Sequence, residues 1–290
     1  MVMIMATLDL DSLRTFLAVV EASSFSRAAD AVGRTQSAVS LQLGRLERVL
    51  GKILILRRQG RVLGLTDDGR ELLPYARRMV DMNDAAYRAV AQPAATGRVR
   101  LGVPADFMDT AFPETLRSFQ HGHGGIELEV VSDVSERLRE RVRHGQLDVA
   151  FFKRIPGQGD GSVVDRQRLV WVGGASGPVP AVDVPLPLIL FPEGCVFRAR
   201  MLSVLEAAGR SWRIAYDCPS FESVRAAIRS GLGIGALPAG CAAQGFVDLG
   251  DGDLPPLGEI ELVVALGRES PQAARVLADY IGRRVREWRI

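Results

Sequence analysis

Apolar positions between Ser24 and Gly51 recur every three or four residues, which is the spacing of amphipathic helices. They form two runs, Phe25, Ala28, Ala29 and Val32, and then Val39, Leu43, Leu46 and Leu50. Gly33 can end the first helix in a left-handed conformation, and Thr35 or Gln36 can start the second. Two helices joined by so short a turn predict a helix-turn-helix.

The polar side of the second helix indicates a DNA-binding surface. Its exposed candidates for base contacts are Gln36, Ser37, Gln42 and Arg45, whereas Ser40 is assigned to a phosphate or to its own helix. Basic residues crowd the same region against the single acid Glu47; they are Arg34, Arg45, Arg48, Lys52, Arg57, Arg58 and Arg61. Charge of one sign attracts a polyanion, so Arg34, Arg48, Arg57, Arg58 and Arg61 are predicted to neutralise phosphates. The alternative is a plain helical hairpin with a solvated polar face.

Short elements flank the two helices. Asp11 and Ser12 are predicted to cap a bracing helix from Leu13 to Ala22. Two apolar runs, residues 53–56 and 62–65, surround a basic turn that contains glycine, which predicts a β-hairpin wing beside the recognition helix. An ordinary solvated turn is the alternative role for the arginines of the wing.

A long helix is predicted to follow, because Thr66, Asp67 and Asp68 combine a cap residue with acids in a first turn. Pro74 near its start can bend it. A heptad seam, typical of a helix that pairs with another helix, runs through Leu72, Ala76, Met79, Asn83, Ala86 and Val90. Packing within one chain is the alternative. Residues 92–97, rich in Pro, Gly and small residues, predict a hinge.

The rest of the chain alternates strand-like and helix-like segments, which predicts α/β architecture with a largely parallel sheet. Predicted strands cover residues 99–103, 126–131, 147–152, 187–191, 213–216, 234–237 and 260–266. Predicted helices cover residues 110–119, 132–144, 196–208, 221–230 and 271–288.

Net charge, cysteine content and the length of apolar runs indicate where the basic surface lies and in which compartment the protein acts. The 290 residues carry a net charge of only +2, so the basic patch belongs to one end of the chain. Three separated cysteines, Cys195, Cys218 and Cys241, suit a reducing cytosol rather than a disulfide scaffold. The first eleven residues make a poor signal peptide, and apolar runs are too short to span a bilayer. These features predict a soluble, cytoplasmic protein without a membrane partner.

Other motifs do not predict a cofactor site, a metal site or a catalytic site. The glycines of residues 231–235 follow a helix and precede a strand, the reverse of a dinucleotide fingerprint, so they predict a helix end. His121 and His123 could hold a metal, but an exposed turn is the preferred interpretation, and no metal or cofactor is predicted. Cys195, at a helix start beside Arg198, could be a stabilised thiolate. Hydrolase, metalloprotease and phosphate-loop motifs are lacking, so an enzyme is not predicted.

The segment LRTFLAVVEASSFSRAADAVGRTQSAVSLQLGRLERVLG and the later RQGRVLGLTDDGRELL resemble the DNA-binding domain of LysR-type transcriptional regulators. The resemblance, strongest over residues 8–73, implies a winged helix-turn-helix (8–66), a dimerising linker helix (67–91) and a two-lobed effector domain (98–290) like periplasmic binding proteins. Lobe 1 is expected at about 98–160 and 268–290, and lobe 2 at about 161–267. The sequence departs from the family at Leu41, where longer polar residues are common, at Gly44 and at Ile55.

The same resemblance implies homodimers or homotetramers that bind and bend inverted-repeat DNA, respond to a small molecule between the lobes, and have RNA polymerase as a further candidate partner. Helix starts at the cleft would contact the effector. The candidates are the polar residues Asp106, Ser135, Arg198 and Ser220 and the walls Phe107, Phe197 and Phe221. For the serines and aspartate, helix capping is the alternative. Rival functions are a solute-binding protein and a DNA-binding regulator that is constitutive or switched by thiol oxidation at Cys195.

Overall fold

A computed structural model describes residues 7–58, 61–91, 95–174, 184–217, 220–242, 245–250 and 254–287. The chain divides between residues 94 and 95 into two compact units, which are described separately.

The first unit starts with three helices, α1 (Leu10–Ala22), α2 (Phe25–Val32) and α3 (Gln36–Leu50). They bury one apolar core that includes Phe16 and Leu43, which are both fully buried. The predicted start of α1 at Leu13 was wrong, because Asp9 caps the helix and its carboxylate accepts from the amide of Ser12 at 2.9 Å. Ser12, expected in the cap, is buried inside the first turn.

The wing and the long helix complete this unit. Strands β1 (Ile55–Arg58) and β2 (Arg61–Leu65) pair in antiparallel fashion, and α4 spans Asp67–Ala91. Thr66 joins them: its hydroxyl donates to the carbonyl of Ile53 at 2.6 Å and accepts from the amide of Gly69 at 3.0 Å. A Cβ on Gly69 would lie 2.1 Å from the carbonyl oxygen of Leu54, so only glycine fits at this corner.

The second unit begins with parallel β/α units. Strand β3 (Gly97–Pro104) leads through a short 3₁₀ helix (Ala105–Asp109) to α5 (Phe112–Gly122), and β4 (Ile126–Asp133) leads to α6 (Ser135–Arg143) and β5 (Val149–Arg154). Strand β3 pairs in parallel with both β4 and β5. This order brings the start of the 3₁₀ helix and the start of α6 to one edge of the sheet, as the carboxyl ends of parallel strands require.

Strand β6 (Ser162–Gly173) then crosses into a second group of elements. These are β7 (Leu186–Leu190), α7 (Val196–Ala207), β8 (Trp212–Asp217), α8 (Phe221–Arg229), β9 (Gly235–Pro238), α9 (Ala239–Ala242) and β10 (Val247–Asp248). Strands β7 and β8 are parallel, whereas residues 169–173 of β6 pair in antiparallel fashion with β9 and β10. A parallel bridge between Leu188 and Ile234 links the two sets.

The chain returns through β11 (Glu259–Leu266) and ends in α10 (Gln272–Glu287). Strand β11 pairs with β5 and with the part of β6 that precedes residue 169. Strand β11 therefore extends the sheet of β3, β4 and β5, although residues 259–266 were expected in lobe 2. The single strand β6 pairs with β11 over its first part and with β9 and β10 over its second part, which the alternation of short segments along the sequence did not indicate.

Candidate DNA-binding surface and effector cleft

The local sequence fixes the position of α3. Gly33 adopts the left-handed conformation at the end of α2, with a φ of 63°. Thr35 caps α3, and its hydroxyl accepts from the amide of Ala38 at 3.2 Å. Val39, Leu43 and Leu46 are buried against the core. The opposite side of α3 is exposed at Thr35, Gln36, Ser37, Ser40, Leu41, Arg45 and Arg48.

Arg34 and Gln42 are engaged with the start of α1. The guanidinium of Arg34 donates to the side-chain oxygen of Gln42 and to the carboxylate of Asp11, both at 2.9 Å. Nearby, hydrogen bonds from Ser12 are the main cause that holds the pKa of Asp9 below its ordinary value, and Gln42 adds to this effect. A DNA contact by Arg34 or Gln42 would therefore replace a bond that already exists.

The single acid of the basic patch is used internally. The carboxylate of Glu47 accepts from the amide of Leu54 at 3.0 Å and from the guanidinium of Arg57 at 3.4 Å. Its side chain is only 11% exposed, whereas Arg57 and Arg58 are exposed on β1. The side chain of Arg61 and the turn at residues 59–60 lie outside the described residues. Glu47 therefore anchors the wing, and a positive surface faces solvent.

The predicted seam of α4 divides into two parts. Ala76 and Val80 are buried, with Leu72 and Met79 packed beside them, in the core of their own unit. A salt bridge between Arg14 and Asp84 also fastens α4 to α1. Of the other seam positions, Asn83 is half-buried, Ala86 is exposed and Val90 is 90% exposed. Met82 and Tyr87, which lie next to the seam, are also apolar and are each 68% exposed.

A buried lysine in the second unit lies between the start of the 3₁₀ helix, the start of α6 and the start of α7. The ammonium of Lys153, on β5, forms a salt bridge with Asp106, and the two side chains are 4% and 16% exposed. The ammonium lies 4.5 Å from the ring centroid of Phe107 and 4.7 Å from that of Phe197. Both distances suit cation–π contacts. The hydroxyl of Ser135 accepts from the backbone amide of Lys153 at 3.2 Å.

Two cavities adjoin Lys153. One of about 220 Å³ is lined by Asp106, Phe107, Phe221 and Arg225, among others. The other, of about 300 Å³, lies between the starts of α6 and α7 and includes Ser135, Cys195 and Arg198. The smaller cavity combines apolar walls with three charged groups, which is typical of small-molecule sites, whereas six of the fourteen residues that line the larger cavity are charged.

The candidate effector residues fall into three groups. Asp106, Phe107, Ser135, Arg198 and Phe221 line one of the two cavities, although Phe107 is only 3% exposed. Phe197 is fully buried in the core and lines neither cavity, because α7 turns its ring beneath Lys153. Ser220 caps α8, since its hydroxyl accepts from the amide of Ser223 at 3.4 Å.

Lys153 was missed because it directly follows residues 147–152, to which the predicted strand was confined. A signal was available. The unbroken apolar run before Lys153 indicates a strand that is buried on both faces, and a lysine that continues such a strand into the interior requires a counter-charge.

Cys195 does not have the environment of a stabilised thiolate. Burial raises the pKa of its thiol to about 11, and the opposing effect of Lys153 is smaller. Arg198, expected to stabilise the thiolate, donates to the carbonyl of Phe191 at 2.9 Å and to Asp217 at 2.8 Å. Cys218, the alternative thiol partner, lies outside the described residues.

The remaining motifs have structural roles. Gly231, with a φ of 77°, follows α8, and a Cβ on Gly233 would lie 2.4 Å from the carbonyl oxygen of Pro187. His123 stacks on Phe119 at 4.2 Å, and His121 lies on α5 with its ring nitrogen 2.8 Å from the carbonyl of Arg117. Among the described residues, no group of acids, histidines and cysteines has the arrangement of a metal site.

None of the helices in the described part of the chain combines the length and the apolar character that crossing a bilayer requires.

Two protein families match this chain. Residues 10–70 match the bacterial regulatory helix-turn-helix protein family of the lysR type, and residues 93–286 match the LysR substrate binding domain. The transcriptional regulator DgdR of Burkholderia cepacia is 33% identical over 91% of this chain and 90% of its own length. PecT of Dickeya dadantii is 34% identical over 78% of this chain and 71% of its own length.

Solved structures agree on the fold. A Corynebacterium glutamicum OxyR mutant with bound hydrogen peroxide superposes with a TM-score of 0.52, at 21% identity, over 98% of this chain and 94% of that one. HinK, a LysR family regulator from Pseudomonas aeruginosa, gives 0.50 at 20% identity over 96% and 99%. The matched families are those of transcriptional regulators and not of enzymes. The chain belongs to the LysR family of DNA-binding transcriptional regulators, with an N-terminal helix-turn-helix and a C-terminal effector-binding domain.

Proposed function

We propose that this regulator acts in the cytoplasm as a dimer or tetramer that places one α3 in each of two successive major grooves, on an inverted-repeat operator. The exposed polar side of α3 and the exposed arginines of β1 support this docking. The exposed apolar side chains in the second half of α4 support self-association, because so much apolar surface on one helix is costly in water. Pairing two subunits also gives the operator its two-fold symmetry.

The observation that supports DNA binding best is the charge arrangement around α3. Glu47 is paired inside the unit, and Arg45, Arg48 and Arg58 are exposed and form no salt bridge with another described residue. Phosphate contacts supply affinity, and Gln36 and Ser37 are proposed to supply specificity from the first turn of α3. Thr35 caps the helix, and its position at the N-terminus of α3 supports the proposal that it contacts a phosphate.

The test compares two variants on two DNAs. An operator is first selected by the purified protein from random duplexes, and a scrambled duplex serves as the nonspecific DNA. Gln36→Ala should weaken operator binding by about 1–3 kcal/mol and leave scrambled DNA nearly unaffected. Gln120→Ala, an exposed glutamine on α5, should change neither affinity. Equal losses on both DNAs would contradict base recognition by Gln36.

We further propose that a small molecule binds beside Lys153 and changes the DNA-bound state. The cavity of about 220 Å³ offers an aspartate, a lysine and an arginine between phenylalanine walls, which favours a polar ligand with an apolar part. A panel of metabolites can be screened by thermal shift, since a ligand of the folded state raises the melting temperature. A ligand that stabilises the wild type and Phe221→Ala equally would contradict this site.

Thiol control is the weaker alternative. One relative, 33% identical over 78% of this chain, is a probable hydrogen peroxide-inducible genes activator of Mycobacterium avium. The raised pKa of Cys195 disfavours the reactive thiolate that such a switch needs. Peroxide titration of operator binding distinguishes the two mechanisms, because ligand control predicts no response to mild oxidation.

A further inference from the structure

The outermost point of the recognition helix is apolar. Leu41 is 59% exposed, although both neighbouring positions on the surface, Ser37 and Arg45, are polar. Each residue turns an α-helix by about 100°, so Leu41 lies about 200° around the axis from the fully buried Val39. It therefore projects directly away from the core, at the centre of the surface that would face DNA.

The surface of α3 next to Leu41 carries no side chain at Gly44. Gly44 lies one turn further along α3, and a Cβ built on it would meet no atom within 4 Å. A glycine inside a helix is unfavourable compared with alanine, and here its own unit does not require it for packing. Together the two residues give a projecting side chain next to a flat stretch of helix, a shape that allows close approach of another surface.

We infer that Leu41 is a specificity-determining residue that contacts the 5-methyl group of a thymine in each operator half-site. The methyl of thymine is the apolar group that base pairs present in the major groove, and aliphatic side chains recognise it by direct contact. The small hydroxyl residues Ser37 and Ser40 flank Leu41 and leave its end accessible. The inference rests on the proposed docking of α3 and adds a base identity to it.

The expected effect is modest and measurable. Covering one methyl-sized apolar group contributes about 0.8 kcal/mol, which corresponds to a roughly fourfold change in affinity. Removal of the methyl from both half-sites of a symmetric operator should therefore weaken binding roughly 15-fold.

The experiment replaces individual thymines of the selected operator by deoxyuridine, which lacks only the methyl group. For the wild type, one position in each half-site should show the fourfold loss. Leu41→Ala changes both subunits, so it should bind the thymine operator roughly 15-fold more weakly, and it should not distinguish thymine from uracil there. Alanine is a good helix former and Leu41 is exposed, so this variant should melt with the wild type.

Val49→Ala is the matched control, because Val49 is an apolar residue of the same helix that is 47% exposed and lies two turns away. It should keep the wild-type discrimination between thymine and uracil. Wild-type protein that binds the operator but ignores every methyl, or Leu41→Ala that keeps the discrimination, would overturn the inference and leave the proposed docking intact. Failure of the wild type to bind any duplex would overturn both.

Discussion

Loss of the Asp106 charge should destabilise the effector domain strongly. The substitution Asp106→Asn keeps the size of the side chain but leaves the ammonium of Lys153, only 4% exposed, without its carboxylate. Removal of one partner from a buried ion pair typically costs 3–5 kcal/mol, because the remaining charge stays desolvated. We expect about 3 kcal/mol, since Asp106 itself is 16% exposed and the rings of Phe107 and Phe197 remain beside the ammonium.

Tryptophan fluorescence in a urea titration is a suitable assay. All three tryptophans, Trp171, Trp212 and Trp288, belong to the second half of the sequence, so the signal follows the effector domain alone. In a thermal melt the same loss should lower the transition by roughly 6–12 °C for a domain of this size. Glu114→Gln is the matched control, because its salt bridge with Arg117 is exposed and should contribute less than about 1 kcal/mol.

A double variant separates charge from packing. Asp106→Leu combined with Lys153→Met removes both charges, so it should cost less than Asp106→Asn alone, as apolar replacements of buried ion pairs generally do. If Asp106→Asn and Glu114→Gln were equally mild, Lys153 would not depend on Asp106, and the account of the cleft given above would be refuted.

Three further predictions concern other parts of the chain. Gly69→Ala should destabilise the DNA-binding unit by more than about 2 kcal/mol in calorimetry, because its Cβ would lie 2.1 Å from the carbonyl of Leu54, whereas Gly44→Ala should stabilise it by about 1 kcal/mol. Arg48→Ala should reduce the slope of log affinity against log salt by about 1 per subunit, and so by about 2 for the proposed dimer; an unchanged slope would exclude a phosphate contact. At pH 8 the native Cys195 thiol should react with iodoacetamide far more slowly than the same thiol in the unfolded chain, because burial raises its pKa from 9.0 to about 11. The contribution of this thiol to the free energy of unfolding should be complete below pH 9.0 and should be lost as the pH rises toward about 11.

Local chemistry predicted the regular elements well. The caps Thr35 and Thr66 and the left-handed Gly33 lie where short-range patterns placed them, because a cap depends on atoms three or four residues away. The start of α1 was misplaced because Asp9 and Asp11 are equally good candidates on paper. Only the packing that buries Ser12 decides between them.

Long-range features were less accessible. The first part of β6 pairs with β11 and its second part pairs with β9, and both partner strands lie more than sixty residues away in the sequence. The buried position of Phe197 and the ion pair of Lys153 likewise depend on partners from other elements. Periodicity predicts which face of a segment is buried but not which element packs against that face. The residues that line the cleft could therefore be predicted only from their places at the starts of helices.

The corner at Thr66 has a mechanical consequence. The hydroxyl bonds of Thr66 and the close approach of Gly69 to Leu54 fasten the first turn of α4 to the wing, and the salt bridge of Arg14 with Asp84 fastens a later turn of α4 to α1. With 25 residues, α4 is about 37 Å long. A sideways displacement of about 3 Å at the far end of α4 corresponds to a tilt of the whole helix by roughly 5°. The wing and α1 would tilt with α4, because both are fastened to it.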